Sequence, residues 1–149
     1  AYRFIWATWY PYLRHSDYEV QYQVRAMSDE EAAELIKKDP RLLSLNKMYR
    51  VANLYEVGSA DYNRVLETAA AIYPNDPVAN VNVAAVALRA GELERAEVFL
   101  KNAGDSAEAI NARGVLELLK GNTDEARRLF QKSGTKEARE NLKLMEDGE

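Results

Sequence analysis

The spacing of hydrophobic and polar positions along this chain changes near Ser28. Residues 18–26 alternate between apolar and polar side chains, which is the period of a half-buried β-strand. From Ser28 onward, apolar residues recur every three or four positions, and Ser, Asp, Pro and Gly mark the ends of the segments. The pattern therefore predicts a mainly α protein with one strand near its N-terminus.

Capping and turn-forming residues divide the helical region into eight predicted helices. Ser28 and Glu31 have the spacing of a capping box, and Pro40 ends the first helix because the residue before a proline avoids helical angles. The predicted N-caps of the last three helices are Asp105-Ser106, Asn122-Thr123 and Thr135. The predicted helices are Asp29–Lys38, Leu42–Val57, one from a Ser59 or Asp61 cap to Tyr73, Val78–Ala90, Leu93–Asn102, Ala107–Lys120, Thr123–Lys132 and Thr135–Met145.

Two stretches of the helical region, Pro77–Gly104 and Ala107–Gly134, nearly repeat each other thirty residues apart. In each, small residues occupy both helices of a predicted hairpin, and a large residue follows on the second helix. The matching positions are Ala84 and Gly114, Gly91 and Gly121, Ala96 and Ala126, Leu100 and Phe130, and Ala103 and Ser133. Because one hairpin cannot bury the large residue alone, the spacing predicts hairpins that stack.

These offsets resemble the tetratricopeptide repeat. The turn at residues 73–77 resembles the turn between repeats of that family, and residues 42–74 resemble an earlier, degenerate unit in which Leu66 and Ala69 take the second-helix positions. The resemblance covers residues 42–146. It implies an α–α superhelix whose first helices line a concave groove for a protein or peptide.

Four runs resemble the C-terminal repeat region of Gram-negative cell-envelope proteins in which an OmpA-like domain precedes the repeats. The runs are LSLNKMYRVANLYEVGSADYN from Leu43, YPNDPVANVNVAA from Tyr73, AGDSAEAINARGVLELLKGN from Ala103 and ARRLFQKS from Ala126. Residues 2–27 resemble the last helix and last strand of that preceding domain.

Residues 2–10 alone fit either a strand or a short helix, and the envelope resemblance favours the helix. It implies a remnant of the preceding domain at residues 1–27 and a helical repeat domain at residues 28–149. It also implies a periplasmic or outer-membrane-associated protein, of which this chain is an excised piece.

Composition narrows the classes of function. The chain has 149 residues, of which 47% are hydrophobic and 30% are charged, and its net charge is −4. This acidic balance argues against nucleic acid, which requires a basic surface. No apolar run reaches the roughly 18–20 residues that span a bilayer. The absence of cysteine excludes disulfides and thiol chemistry.

Catalytic and metal-binding groupings are not evident in the sequence. His15 is the only histidine, and no serine is placed to form a nucleophile–base pair with it. One histidine with scattered carboxylates does not supply the ligand spacing of a metal site. Gly91 and Gly121 lie between predicted helices, unlike the glycines of a phosphate-binding loop. We therefore expect a non-enzymatic protein without cofactor or metal.

Asparagines on the predicted first helices are the best candidates for a binding site, since asparagine is a poor helix former that can hydrogen-bond a peptide backbone. Arginines on the same helices suit an acidic partner. In the alternative interpretation the asparagines cap turns, bridge helices or face solvent, and the arginines pair with neighbouring glutamates. The residues are Asn46, Asn53, Asn80, Asn82 and Asn111 with Arg50, Arg89 and Arg113, of which Asn46, Asn53, Asn82, Arg89 and Asn111 form the candidate groove.

Two functions are compatible with these features. The first is a protein–protein interaction module that binds an unidentified peptide or protein on its concave face. The second is a scaffold that supports the preceding domain, or a unit that forms homodimers through residues 1–27. Trp6 and Trp9 could anchor a partner, since tryptophan is enriched at binding hot spots. The alternative, which we favour, is that they cover the predicted strand or were buried in the preceding domain.

Overall fold

The computed structural model describes residues 2–8, 19–21 and 26–147. All regular secondary structure in these residues is helical, which confirms the mainly α prediction. It comprises nine α-helices and one 3-10 turn at Pro40–Leu42. The helices are α1 (Tyr2–Thr8), α2 (Asp29–Lys38), α3 (Leu45–Ala52), α4 (Ala60–Ile72), α5 (Pro77–Arg89), α6 (Leu93–Leu100), α7 (Ala107–Leu119), α8 (Thr123–Ser133) and α9 (Lys136–Asp147).

The N-terminal region differs in part from the sequence patterns. Helix α1 shows that the helical alternative holds for residues 2–8. In the predicted strand at residues 18–26, residues 19–21 and 26 have no regular secondary structure, while residues 18 and 22–25 lie outside the described residues. The strand therefore stays a prediction.

The helix predicted at Leu42–Val57 is shorter than expected. Ser44 starts α3 by accepting a hydrogen bond from the Lys47 backbone N–H at 3.3 Å. After Ala52 the backbone hydrogen bonds reach back three residues instead of four. Tyr55 N–H, for example, donates to the Ala52 carbonyl at 3.0 Å. A local cap and a tight turn thus confine this helix to eight residues.

Capping residues set most of the other helix bounds. Ser28 and Glu31 form the predicted capping box, and Ser59, Ser106 and Thr135 each accept a backbone N–H three residues on. Asn122 is the N-cap residue of α8, as predicted, but its side chain makes no capping hydrogen bond. Its Nδ2 donates instead to Glu117 Oε2 at 2.6 Å.

Consecutive helices pack in three pairs, α3 with α4, α5 with α6, and α7 with α8. The last two pairs are joined by turns in which Gly91 and Gly121 have φ values of 74° and 86°, which favour glycine. Glu92 N–H donates to the Ala87 carbonyl at 2.9 Å, and Asn122 N–H donates to the Glu117 carbonyl at 2.8 Å. Each turn is therefore a Schellman motif, and its short length makes the pair antiparallel.

The pairs also pack on one another, so that the core runs through the helical region from α2 to α9. The small residues Ala84, Ala96 and Ala126 are fully buried, and so is Phe130. Among the helices of the described part of the chain, none is long and apolar enough to cross a lipid bilayer.

Candidate functional site

The first helices of the three pairs, with α9 after them, form a layer of neighbouring helices. Helix α5 packs directly on α7, and α7 packs directly on α9. Buried residues of α3 and α5, such as Met48 and Val83, belong to one core cluster, which joins α3 to this layer. We call the surface of α3, α5, α7 and α9 the first-helix face, and all five predicted groove residues belong to these helices or their caps.

Helix α3 contributes Asn46, Tyr49 and Asn53, which lie on one side of the helix because they are spaced by three and four residues. Asn46 and Asn53 are exposed, and Tyr49 is half-buried between them. Asn53 is the C-cap of α3 and not an interior helical residue as predicted, since the helix ends at Ala52. The side of α3 therefore presents two amides on either side of a tyrosine.

Helix α5 presents Val78, Asn82, Ala85 and Arg89 along one side, as their spacing requires. Val78 is 56% exposed, and Arg89 is exposed at the end of the helix. The helix has no acidic residue, and within the described part of the chain Arg89 forms no ion pair. This side of α5 thus carries apolar side chains and one amide, with the positive charge of Arg89 at one end.

The Tyr49 hydroxyl lies between α3 and α5. It is shielded from solvent and makes no hydrogen bond of standard geometry within the described residues. Burial and the negative charge of Asp76 raise the pKa of Tyr49, and the adjacent Asn82 amide opposes this shift. The hydroxyl is therefore protonated at neutral pH and retains its capacity to donate.

Asn111 connects neighbouring helices. Its Oδ1 accepts a hydrogen bond from Nδ2 of Asn141 on α9 at 3.4 Å, and both side chains are half-buried. Asn82 lies beside the Tyr49 hydroxyl without such a bond, so Asn111 is the predicted groove residue that a side-chain hydrogen bond ties to a neighbouring first helix within the described residues. Asn46, Asn53 and Arg89 are the more exposed members of the set.

Asn80 is structural. It is 2% exposed, and its Nδ2 donates to the backbone carbonyls of Pro74 and Asp76, both at 2.8 Å. These bonds fix the turn between α4 and α5, because they satisfy carbonyls that the turn leaves without helical partners. This agrees with the interpretation that some of these asparagines hold turns.

Arg50 and Arg113 are engaged within the chain, although their partners are not the glutamates expected from the sequence. Arg50 donates to Asp29 from Nε at 3.1 Å and from Nη2 at 2.9 Å. Arg113 donates to the Leu100 and Gly104 carbonyls at 3.1 and 2.7 Å, and pairs with Asp105 at 3.2 Å. Both arginines tie neighbouring helices together.

Sequence reasoning missed Tyr49 and Asn141. Tyr49 follows Asn46 by three positions, and this spacing was the available signal that both lie on one side of α3. For Asn141 there was no such signal, because its role depends on how α9 packs on α7. His15 lies outside the described residues. In the parts of the chain that the structure describes, no three His, Asp or Glu side chains form a potential metal site.

No protein-family model matches the chain, and no curated protein matches its sequence.

Proposed function

We propose that residues 28–149 form a stack of tetratricopeptide-like hairpins in an α–α superhelix. In this proposal the stack is a non-catalytic interaction module of a bacterial cell-envelope protein, periplasmic or outer-membrane-associated. Its first-helix face is the concave groove that binds an extended segment of a partner protein. The location rests on the resemblance of the sequence to envelope proteins.

The observation that carries this proposal is the continuity of the first-helix face. Direct packing of α5 on α7 and of α7 on α9 supports one surface that crosses several helices. A long surface of this kind suits an extended peptide better than a small ligand. The side chains along it are mostly amides and small apolar groups, with no catalytic grouping.

The chemistry of the face indicates what kind of segment it binds. Asn46 and Asn53 present amides that can donate to and accept from a peptide backbone. Val78 offers exposed apolar surface, and Arg89 offers an exposed guanidinium. We infer an extended segment with apolar side chains and one carboxylate near Arg89.

Selection of linear peptides from a displayed library on the immobilised chain tests this function. We expect enriched peptides whose affinity falls about three- to tenfold in Asn46→Ala and in Arg89→Ala, because each change removes about one hydrogen bond. Both residues are exposed, so neither change should alter folding. Asn82→Ala and Asn111→Ala should also weaken binding, partly by loosening the alignment of the helices.

Arg64→Ala is the matched control. Arg64 is an exposed arginine on the second helix α4, away from the first-helix face, and its side chain is 72% exposed. This variant should bind the selected peptides like the parent chain. Failure to enrich any peptide, or binding that ignores both Asn46→Ala and Arg89→Ala, would refute the groove.

A second candidate function is self-association through residues 1–27. The observation that favours it is the exposure of large apolar side chains on α1, where Tyr2 is 79%, Phe4 65% and Trp6 50% exposed. Side chains of this size normally become buried against another surface. Light scattering on the whole chain and on a version that begins at Ser28 distinguishes the cases. A dimer formed only by the whole chain supports this function, and monomers in both contradict it.

A further inference from the structure

A cleft of about 330 Å³ lies between α6 and α8, and it shares no residue with the candidate groove on the first-helix face. Leu100, Leu116 and Leu129 form its apolar floor. Lys101, which is the C-cap residue of α6, and Glu125 on α8 line its sides, together with Glu97, Arg113 and Glu117. Both helices pack on α7, which closes the bottom of the cleft.

The preceding pair of second helices, α4 and α6, has an ion pair in the corresponding place. Arg95 on α6 reaches Glu67 on α4, with 2.6 Å between Nη2 and Oε1. The Arg95 guanidinium also lies 6.0 Å from the centre of the Phe99 ring, within cation–π range. A salt bridge thus joins these two helices, and the Phe99 ring lies beside its guanidinium.

Sequence position identifies the equivalent residues in the cleft. Glu67 follows the buried Leu66 as Lys101 follows the buried Leu100, and Arg95 precedes the buried Ala96 as Glu125 precedes the buried Ala126. Phe99 precedes Leu100 as Leu129 precedes Phe130. The corresponding trios are therefore Glu67, Arg95 and Phe99 between α4 and α6, and Lys101, Glu125 and Leu129 between α6 and α8.

The second trio, as described in the structure, forms no ion pair between α6 and α8. Glu125 pairs with Arg128 on its own helix at 2.6 Å instead of crossing to α6. Lys101 forms no ion pair within the described residues, although its charge acts on the nearby Glu97. Leucine also has less volume than the phenylalanine at position 99. Glu97 and Glu117 also line the cleft, but Glu97 pairs with Lys120 at 2.8 Å and Glu117 accepts a hydrogen bond from Asn122 at 2.6 Å. Compared with the interface of α4 and α6, the cleft therefore lacks an aromatic ring and an ion pair for Lys101.

We propose that the cleft between α6 and α8 binds a partner segment that inserts an aromatic side chain beside a carboxylate. The ring lies on Leu100, Leu116 and Leu129, and the carboxylate pairs with Lys101. The partner thus supplies between these helices an aromatic ring like that of Phe99 and a counter-charge for Lys101, as Arg95 is for Glu67.

N-acetyl-L-phenylalanine is a small probe that carries both groups, and methyl NMR of the three floor leucines reports its binding. We expect saturable shifts at about millimolar probe concentration, as for a fragment with few contacts. N-acetyl-L-phenylalanine amide, which lacks the carboxylate, should bind at least about threefold more weakly. In Lys101→Gln the acid and the amide should bind equally well.

The triple variant Lys101→Glu, Glu125→Arg, Leu129→Phe reproduces the trio that joins α4 to α6. We expect it to fold with an unchanged circular dichroism spectrum and to lose probe binding at least about tenfold. Groove peptides that depend on Arg89 should bind it normally, so failure of the cleft and failure of the groove can be told apart. Absence of saturable shifts, no preference for the acid, or full probe binding by the triple variant would overturn the proposal.

Discussion

At the scale of single residues, Gly114 and Phe130 show how the size of one side chain limits another. A Cβ atom at position 114 would lie 2.6 Å from Phe130 Cε1 and 2.7 Å from Cδ1. Phe130 is fully buried, so in a close-packed core its ring can move only if its neighbours shift. At the equivalent positions Ala84 faces the smaller Leu100, and an alanine fits. The two residues at each site are thus matched in size: glycine with phenylalanine at positions 114 and 130, and alanine with leucine at positions 84 and 100.

We expect Gly114→Ala to destabilise the protein by about 1–3 kcal/mol, because overpacking forces the ring or the backbone to shift. The substitution also gains about 0.5–1 kcal/mol of helix stability, since alanine loses less backbone entropy than glycine. The clash is the larger effect because the contact is far shorter than van der Waals distance. Urea unfolding followed by circular dichroism measures the net change.

Phe130→Leu provides the background that isolates the clash. In this variant Gly114→Ala should become neutral or stabilising, because the helix gain remains and the ring is absent. The double variant then carries the alanine–leucine pair found at Ala84 and Leu100. If Gly114→Ala costs the same in both backgrounds, the contact with Phe130 is not the cause.

At the scale of helices, Asp29 links the start of α2 to α3. Its carboxylate accepts from Lys47 Nζ at 2.9 Å and from Arg50, and Lys47 Nζ also donates to the Met27 carbonyl at 2.6 Å. The hydrogen bond from Lys47, assisted by Arg50, lowers the pKa of Asp29 against the opposing effect of burial. A carboxylate with a lowered pKa stabilises the fold above its unfolded pKa of about 3.9.

Asp29→Asn should therefore lower the free energy of unfolding at pH 7, and the difference from the parent chain should shrink as the pH falls through the pKa of folded Asp29. Glu30→Gln is the control, because Glu30 lies in the same first turn without an ion pair within the described residues. It reports the helix-dipole effect alone. Equal, pH-independent losses in both variants would show that the ion pair contributes nothing.

Helix positions were predictable where local chemistry decides them. Ser28, Ser59 and Ser106 mark helix starts because a hydroxyl beside the first turn satisfies a free N–H wherever it occurs. Asn122 also marks a helix start, but its side chain does not cap the first turn, and its Nδ2 donates to Glu117 Oε2. The end of α3 was also missed, since tight turns after Ala52 replace helical bonds that the apolar pattern allowed.

At the scale of the whole molecule, the sequence identified the helices that carry the candidate groove but not the burial and contacts of each side chain. Asn80 and Asn82 both lie on α5, yet one is buried in a turn and the other lies beside Tyr49 on α3. Arg113 and Arg89 differ in the same way, because only Arg113 has carbonyl groups of α6 and its following turn within reach. These differences come from contacts between helices, which no local pattern contains.

The helices pack on helices that are near them in the sequence, and this pattern also predicts how the molecule unfolds. Stability in such a chain is nearly a sum of local terms, so its ends open independently. The cluster between α8 and α9 has four buried residues, including Phe130 and Met145.

We expect amides of α9 to exchange with solvent at a lower opening free energy than those of α5. Met145→Ala should reduce protection in α9 and α8 while α3 keeps its own, as native-state hydrogen exchange can measure. An equal loss of protection in α3 would mean that the molecule opens as a single cooperative unit.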